Sequence, residues 1–266
     1  MPNPDGSPIW FELTTNDQDK AQDFYADVVG WKIAASPSAE HGGYRIANAP
    51  DGEGVAGLMT PPPGMDGMPG WVIYFAANEV DAMAEKVKQL GGKVHFGPMD
   101  IPQIGRFATV SDPQGVVFQL MKGASPEDSQ AFKQMAGDAG IGHAVWVELA
   151  TPDPDAALAF YAKLFGWSKQ GAMPMGAMGD YIFFGSSEND RPGAIMSSET
   201  TGAEPKWMTY FQVADIDAAI AKIEAGGGKL LQGPDEIPGG SFSIKVTDAE
   251  GHQVGFVGHR RANALG

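Results

Sequence analysis

In PIWFEL (residues 8–13) and AVWVEL (residues 144–149), a tryptophan precedes a glutamate by two positions. Side chains of a β-strand alternate between its two faces, so Trp10 shares a face with Glu12, and Trp146 shares one with Glu148. An indole beside a carboxylate can do chemistry. The ring offers stacking and cation–π attraction to a planar or cationic small molecule; the acid accepts hydrogen bonds or serves as a general base. Glu12 and Glu148 are therefore candidate catalytic residues, and Trp10 and Trp146 candidate ligand contacts. The same pattern also suits plain packing, with the indole filling space and the glutamate bonded to a backbone N–H or a tyrosine hydroxyl.

The recurrence of the motif extends along the chain. FYADVVGW (24–31) matches FYAKLFGW (160–167), WVIYF (71–75) matches WMTYF (207–211), and SDPQG (111–115) matches TDAEG (247–251). The glycine turns of QLGGKVHFGPMDIP and EAGGGKLLQGPDEIP also correspond. Matches in the same order mean two homologous domains. Their expected limits are 1–122 and 143–266, joined by a linker over 123–142 with room for a short helix after Ser125.

Local signals give the elements. Asp17 is placed to cap a helix carrying Ala21, Phe24, Tyr25 and Val28 as one apolar stripe, with Gly30 ending it. In the second copy Asp153 is the cap and Pro154 occupies the first turn. A further helix is expected from about Val80 to Leu90, stopped by Gly91 and Gly92. Short strands fill the rest, giving β-α-β-β-β twice in each domain, an α+β fold.

Composition narrows the partners. A formal charge of −15 with no local Lys/Arg cluster argues against nucleic acid and anionic membranes. No apolar run approaches the roughly 20 residues needed to cross a bilayer. The absence of cysteine removes disulfides, thiolate nucleophiles and cysteine metal sites. The expected location is the cytoplasm.

With FYxxxxGW at 24–31 and 160–167, GGK at 91–93 and 227–229, and DPQG at 112–115, nearly the whole chain resembles the vicinal oxygen chelate superfamily of glyoxalase I, bleomycin-resistance proteins and extradiol dioxygenases. It is similar in particular to tandem glyoxalase-like proteins of bacteria that share W-x-E-L in the first strand. The resemblance implies two modules per domain curved into a sheet whose concave side takes the ligand. It also implies where a metal would be held: at Trp10 and Trp146, near Val72 and Met208, at Gln119 and Gly255, and near Met59 and Met196. Indole, valine, methionine and glycine cannot replace imidazole and carboxylate around a divalent ion. No metal site and no cofactor are expected, and His41, His95, His143, His252 and His259 show no paired spacing.

If the first strands line the concavity, Tyr74 and Tyr210 are expected beside the Trp/Glu pairs, with Gln119 on the last strand. Arg106, whose counterpart is Phe242, is a candidate for an anionic group in the first domain only. The Met/Gly/Pro stretches 59–70 and 171–180 are candidate lids or plain connections. The leading expectation is metal-independent binding or sequestration of an aromatic or polar compound. A metal-free lyase or isomerase using Glu12 or Glu148 as base, a metal-dependent lyase or dioxygenase with a relocated site, and a scaffold with vestigial cavities stay open. So do monomer and homodimer.

Overall fold

The computed structural model describes residues 3–37, 43–61 and 70–261. In the first repeat β1 (Pro8–Thr14), α1 (Gln18–Val29), β2 (Lys32–Ala35), β3 (Arg45–Asn48) and β4 (Gly54–Met59) are followed by β5 (Gly70–Ala76), α2 (Val80–Gln89), β6 (Lys93–Ile101), β7 (Gly105–Ser111) and β8 (Val117–Gly123). The second repeat runs β9 (Ala144–Thr151), α3 (Pro154–Phe165), β10 (Ser168–Pro174), β11 (Asp180–Gly185), β12 (Gly193–Ser197), a one-turn helix α4 (Ser198–Thr201), β13 (Lys206–Gln212), α5 (Ile216–Ala225), β14 (Lys229–Glu236), β15 (Phe242–Thr247) and β16 (Gln253–Gly258). The α+β fold expected from the sequence is the one observed. Each repeat forms an eight-stranded mixed sheet, ordered β2-β3-β4-β1-β5-β8-β7-β6 and β10-β11-β12-β9-β13-β16-β15-β14.

The helix ends follow the local chemistry. Asp17 accepts the N–H of Lys20 and Asp153 that of Ala156, while Gly30 and Gly166 take the left-handed conformation that closes α1 and α3. The stripe of α1 is buried as expected, at Ala21, Phe24, Tyr25 and Val28. Edge strands β6 and β14 each carry register shifts around Gly97–Pro98 and Gly233–Pro234, where the glycines have φ of 75° and 92°.

No helix follows Ser125. There Ser129 donates its hydroxyl to Ile9 O at 2.6 Å, and its N–H to the Asn3 side chain at 2.8 Å. The segment past Pro126 runs without helix or strand, and a 3₁₀ turn forms later, at Gly137–Gly140. The stretch 171–180 is the end of a hairpin rather than a loop: β10 reaches Pro174, a 3₁₀ turn spans Gly176–Met178, and β11 begins at Asp180. Most of the matching stretch in the first repeat, 62–69, lies outside the described residues, as does His41.

The chain condenses into two compact units. The first comprises Met1–Trp10, Val72–Ser129 and Trp146–Met208; the second comprises Phe11–Trp71, Gln130–Val145 and Thr209–Gly266. Each has an aromatic core. In the first, Phe75 lies 5.5 Å from Trp167 and 5.2 Å from Trp207, ring centre to ring centre. In the second, Phe211 meets Trp31 at 4.9 Å and Trp71 at 5.0 Å.

Candidate ligand site

In the second repeat the Trp/Glu pair is joined by a residue the sequence reading did not single out. Trp146 donates its indole N–H to the Tyr181 hydroxyl at 2.9 Å, and Tyr181 donates to Glu148 Oε2 at 2.8 Å. Strand geometry explains the meeting. β9 puts Trp146 and Glu148 on one face, β12 runs parallel beside it with Ala194 opposite Glu148, and β11 returns antiparallel on the far side of β12. A small residue at 194 lets the Tyr181 side chain reach across. Glu148 is buried, with 5% of its surface exposed. Burial, reinforced by the neighbouring Glu148 charge, pushes the Tyr181 phenol well above its ordinary pKa. The phenol therefore keeps its proton and acts as a donor. Phe183 stands edge-on to both aromatic rings, at 6.0 Å from Trp146 and 5.8 Å from Tyr181.

In the first repeat, and in the same compact unit, a different surface forms. Tyr74 of β5 lies opposite Gln119 of β8, which lies opposite Thr109 of β7. Phe107 lies opposite Met121. Strand alternation sets these on one face. Tyr74 and Met121 cluster with Ile9 and Ala76, and Trp10 and Phe107 pack against that cluster. Tyr74 and Gln119 are each 5% exposed, and the amide oxygen of Gln119 has no hydrogen-bond partner among the described residues.

Glu12 belongs to the second unit, where it pairs with Gly57 of β4. A Cβ on residue 57 would overlap the Tyr44 side chain, so glycine is required for that phenol to lie there. Tyr44 and Tyr181 stand just before or at the start of corresponding strands, in GYRIA and DYIFF; that recurrence was the sequence signal for them. Tyr210, also in the second unit, lies opposite Gly255, and a Cβ on residue 255 would overlap the Tyr210 ring.

Arg106 lies on the face of β7 away from Phe107 and Thr109. Its guanidinium forks onto Asp81 of α2 at 2.6 and 2.8 Å, with a third contact to Asp100 at 3.0 Å. The anion it engages is thus within the protein. Among the described residues, no three His, Asp or Glu side chains gather in a way that could hold a metal ion. His95 meets Ser111, His259 meets Ser241, and buried His143 places its two ring nitrogens against Gln130 O and Asp51. The donors at Trp10, Gln119, Trp146 and Gly255 do not fit the metal that the fold's relatives carry.

A second set of buried polar groups also escaped the sequence reading. In the first unit Trp207 donates to the Tyr161 hydroxyl at 3.2 Å, which donates to Asp112 at 3.2 Å. In the second unit Trp71 donates to Tyr25 at 2.9 Å, which donates to Asp248 at 3.0 Å; Asp248 also takes the imidazole of His252 at 2.9 Å. Burial drives Asp112 above the usual carboxylate range despite its hydrogen bonds. Burial also acts upward on Asp248, but His252 outweighs it and the carboxyl falls below that range. Burial acts downward on His252, but its bond to Asp248 together with the charges of Asp248 and Glu250 raises it overall.

Two βαβββ modules per sheet define a class of paired-module α+β folds. A family model described as the Glyoxalase/Bleomycin resistance protein/Dioxygenase superfamily matches residues 8–120 and 140–256. The chain belongs to that superfamily. It is 33% identical over 249 residues to CFP32 of Mycobacterium tuberculosis, which carries a glyoxylase name, covering 92% of each chain. It is 31% identical over 254 residues to the anthracycline biosynthesis protein DnrV of Streptomyces peucetius, covering 88% of this chain and 87% of that one. Homoprotocatechuate 2,3-dioxygenase from Arthrobacter globiformis superposes with a TM-score of 0.67 at 18% identity, over 97% of this chain and 81% of the other. A Mn(II)-bound glyoxalase from Novosphingobium aromaticivorans gives 0.62 at 18% identity, over 97% and 82%. These two likenesses concern the fold.

Proposed function

We propose that this protein binds a planar aromatic or polar small molecule against its indole- and phenol-bearing strand faces, without a coordinated metal. The observation that carries this reading is the Trp146–Tyr181–Glu148 chain, a hydrogen-bonded aromatic pair that ends on a buried acid. A relative named for anthracycline biosynthesis fits a planar, multi-ring ligand. The duplicated domains are taken as 1–122 and 143–266 with the linker 123–142, in a cytoplasmic monomer or homodimer; the acidic, cysteine-free composition suits a reducing compartment.

Titration of the full chain with planar hydroxyaromatics and quinones tests the reading, followed by tryptophan fluorescence and calorimetry. Binding with about 5- to 10-fold loss in Trp146→Phe, the equivalent of about 1 kcal/mol of ring interaction, is the expected result. No response from any compound would sink it. Metal analysis after exposure to Fe, Mn, Zn and Ni should give far less than one ion per chain.

A second reading is a metal-free lyase or isomerase with Glu148 as base, favoured by the 2.8 Å bond that fixes its carboxylate. Glu12 would take that role in the first repeat. On this reading Glu148→Gln should abolish turnover while binding persists.

A further inference from the structure

Matched positions on the last strand of each sheet carry opposite solutions. In the second repeat the place is taken by Gly255, and the Tyr210 ring lies against the glycine so closely that no Cβ would fit. In the first repeat the corresponding tyrosine, Tyr74, faces a full side chain, Gln119. That residue is 5% exposed, and its amide oxygen is buried without a hydrogen-bond partner among the described residues. A buried acceptor left unpaired is costly, and native proteins rarely keep one without a compensating use. Leucine would fill similar space at no such cost. On the face of Gln119 stand Tyr74, Phe107 and Met121, with Thr109 directly opposite it, and Trp10 packs against the cluster that Tyr74 and Met121 belong to. The surroundings are apolar and aromatic, and the polar demand is for one donor.

We propose that Gln119 is the specificity-determining acceptor of the first repeat, taking the O–H of a hydroxylated planar aromatic compound whose ring packs among Trp10, Tyr74 and Phe107. The proposal rests on the small-molecule-binding reading above and adds the ligand class and the residue that selects it. The second repeat lacks this selectivity, because Gly255 offers no side chain and the Tyr210 ring lies in its place. Discrimination follows from the unpaired group: a ligand lacking the hydroxyl leaves the amide oxygen buried and unsatisfied, whereas a phenol completes it.

The test compares each phenol with its own methyl ether, which keeps the ring and removes the donor. 2-Naphthol and 2,6-dihydroxyanthraquinone are titrated against the full chain, alongside their O-methyl ethers, by calorimetry and tryptophan fluorescence. The wild type is expected to prefer a phenol roughly 10-fold, and Gln119→Leu to abolish that preference by weakening phenol binding while leaving ether binding unchanged. Without ligand, Gln119→Leu should also melt a few degrees higher, since it removes an unpaired buried group. Gln119→Glu, which keeps an acceptor, should retain the preference. Should the leucine variant misfold, the wild-type phenol-to-ether ratio decides alone. Equal affinity for phenol and ether, or a preference that persists in well-folded Gln119→Leu, overturns this inference and leaves the broader reading intact. Failure of both members of each pair to bind removes the two together.

Discussion

The chains Trp207–Tyr161–Asp112 and Trp71–Tyr25–Asp248 are built from matched residues of the two repeats, yet they end differently. In both, one aspartate oxygen is held by the backbone of its own turn: Asp112 by the N–H groups of Gln114 and Val116, Asp248 by those of Glu250 and His252. The remaining oxygen takes the tyrosine. Four residues after the aspartate the first unit has buried Val116, and the second has His252, which adds an imidazole to the same carboxyl. One residue therefore reverses the direction in which the aspartate's proton affinity moves. Backbone geometry can be duplicated while the electrostatics of the copies part company.

The largest test of that contrast removes each acid. Asp248→Ala strands both a tyrosine and a buried imidazole, and a loss of about 3–5 kcal/mol is expected in urea unfolding. Asp112→Ala loses a tyrosine bond and the turn bonds, for about 1–3 kcal/mol. Equal losses would mean that His252 adds nothing.

A smaller effect is expected from pH. Asp248 is depressed, so its contribution is present above the unfolded value of 3.8 and is lost as pH falls through its folded value. His252 is raised, so its contribution is full below the unfolded value of 6.5 and is lost as pH rises through its higher folded value. Asp112 is raised, and its contribution fades as pH climbs from 3.8 through its folded value. His252→Val should remove the decline in melting temperature on the alkaline side of 6.5, measured as the difference from wild type. Val116→His, if accommodated, should introduce one. Glu250 also faces His252 and shares in raising it, so Glu250→Gln should soften the same decline.

The smallest difference is expected at the tyrosines. Tyr161→Phe and Tyr25→Phe each leave an indole N–H and a carboxylate short of one partner, for about 1–2 kcal/mol. The loss should be slightly greater at Tyr161, because Asp112 has no imidazole to fall back on. A greater loss at Tyr25 would reverse the comparison.

Local chemistry was readable in the sequence and distant pairing was not. Asp17, Gly30, Asp153 and Pro154 act within a turn of where they stand, so the bounds of α1 and α3 could be read directly. The alternation of β1 and β9 put Trp146 and Glu148 on one face. What joins them, Tyr181, comes from a strand two places away in the sheet, and nothing local in DYIFF announces a bond to Glu148. Likewise Tyr25 and Asp248 are separated by 223 positions, so only the fold brings them together. The expected helix after Ser125 failed because Ser129 is bonded to Ile9 and Asn3, remote partners invisible to local propensity.

The compact units have one consequence for how such a chain can be handled or evolve. Each unit draws segments from both the earlier copy and the later, so scission between the repeats would divide both units. Neither copy, cut free, would carry a whole interior of its own.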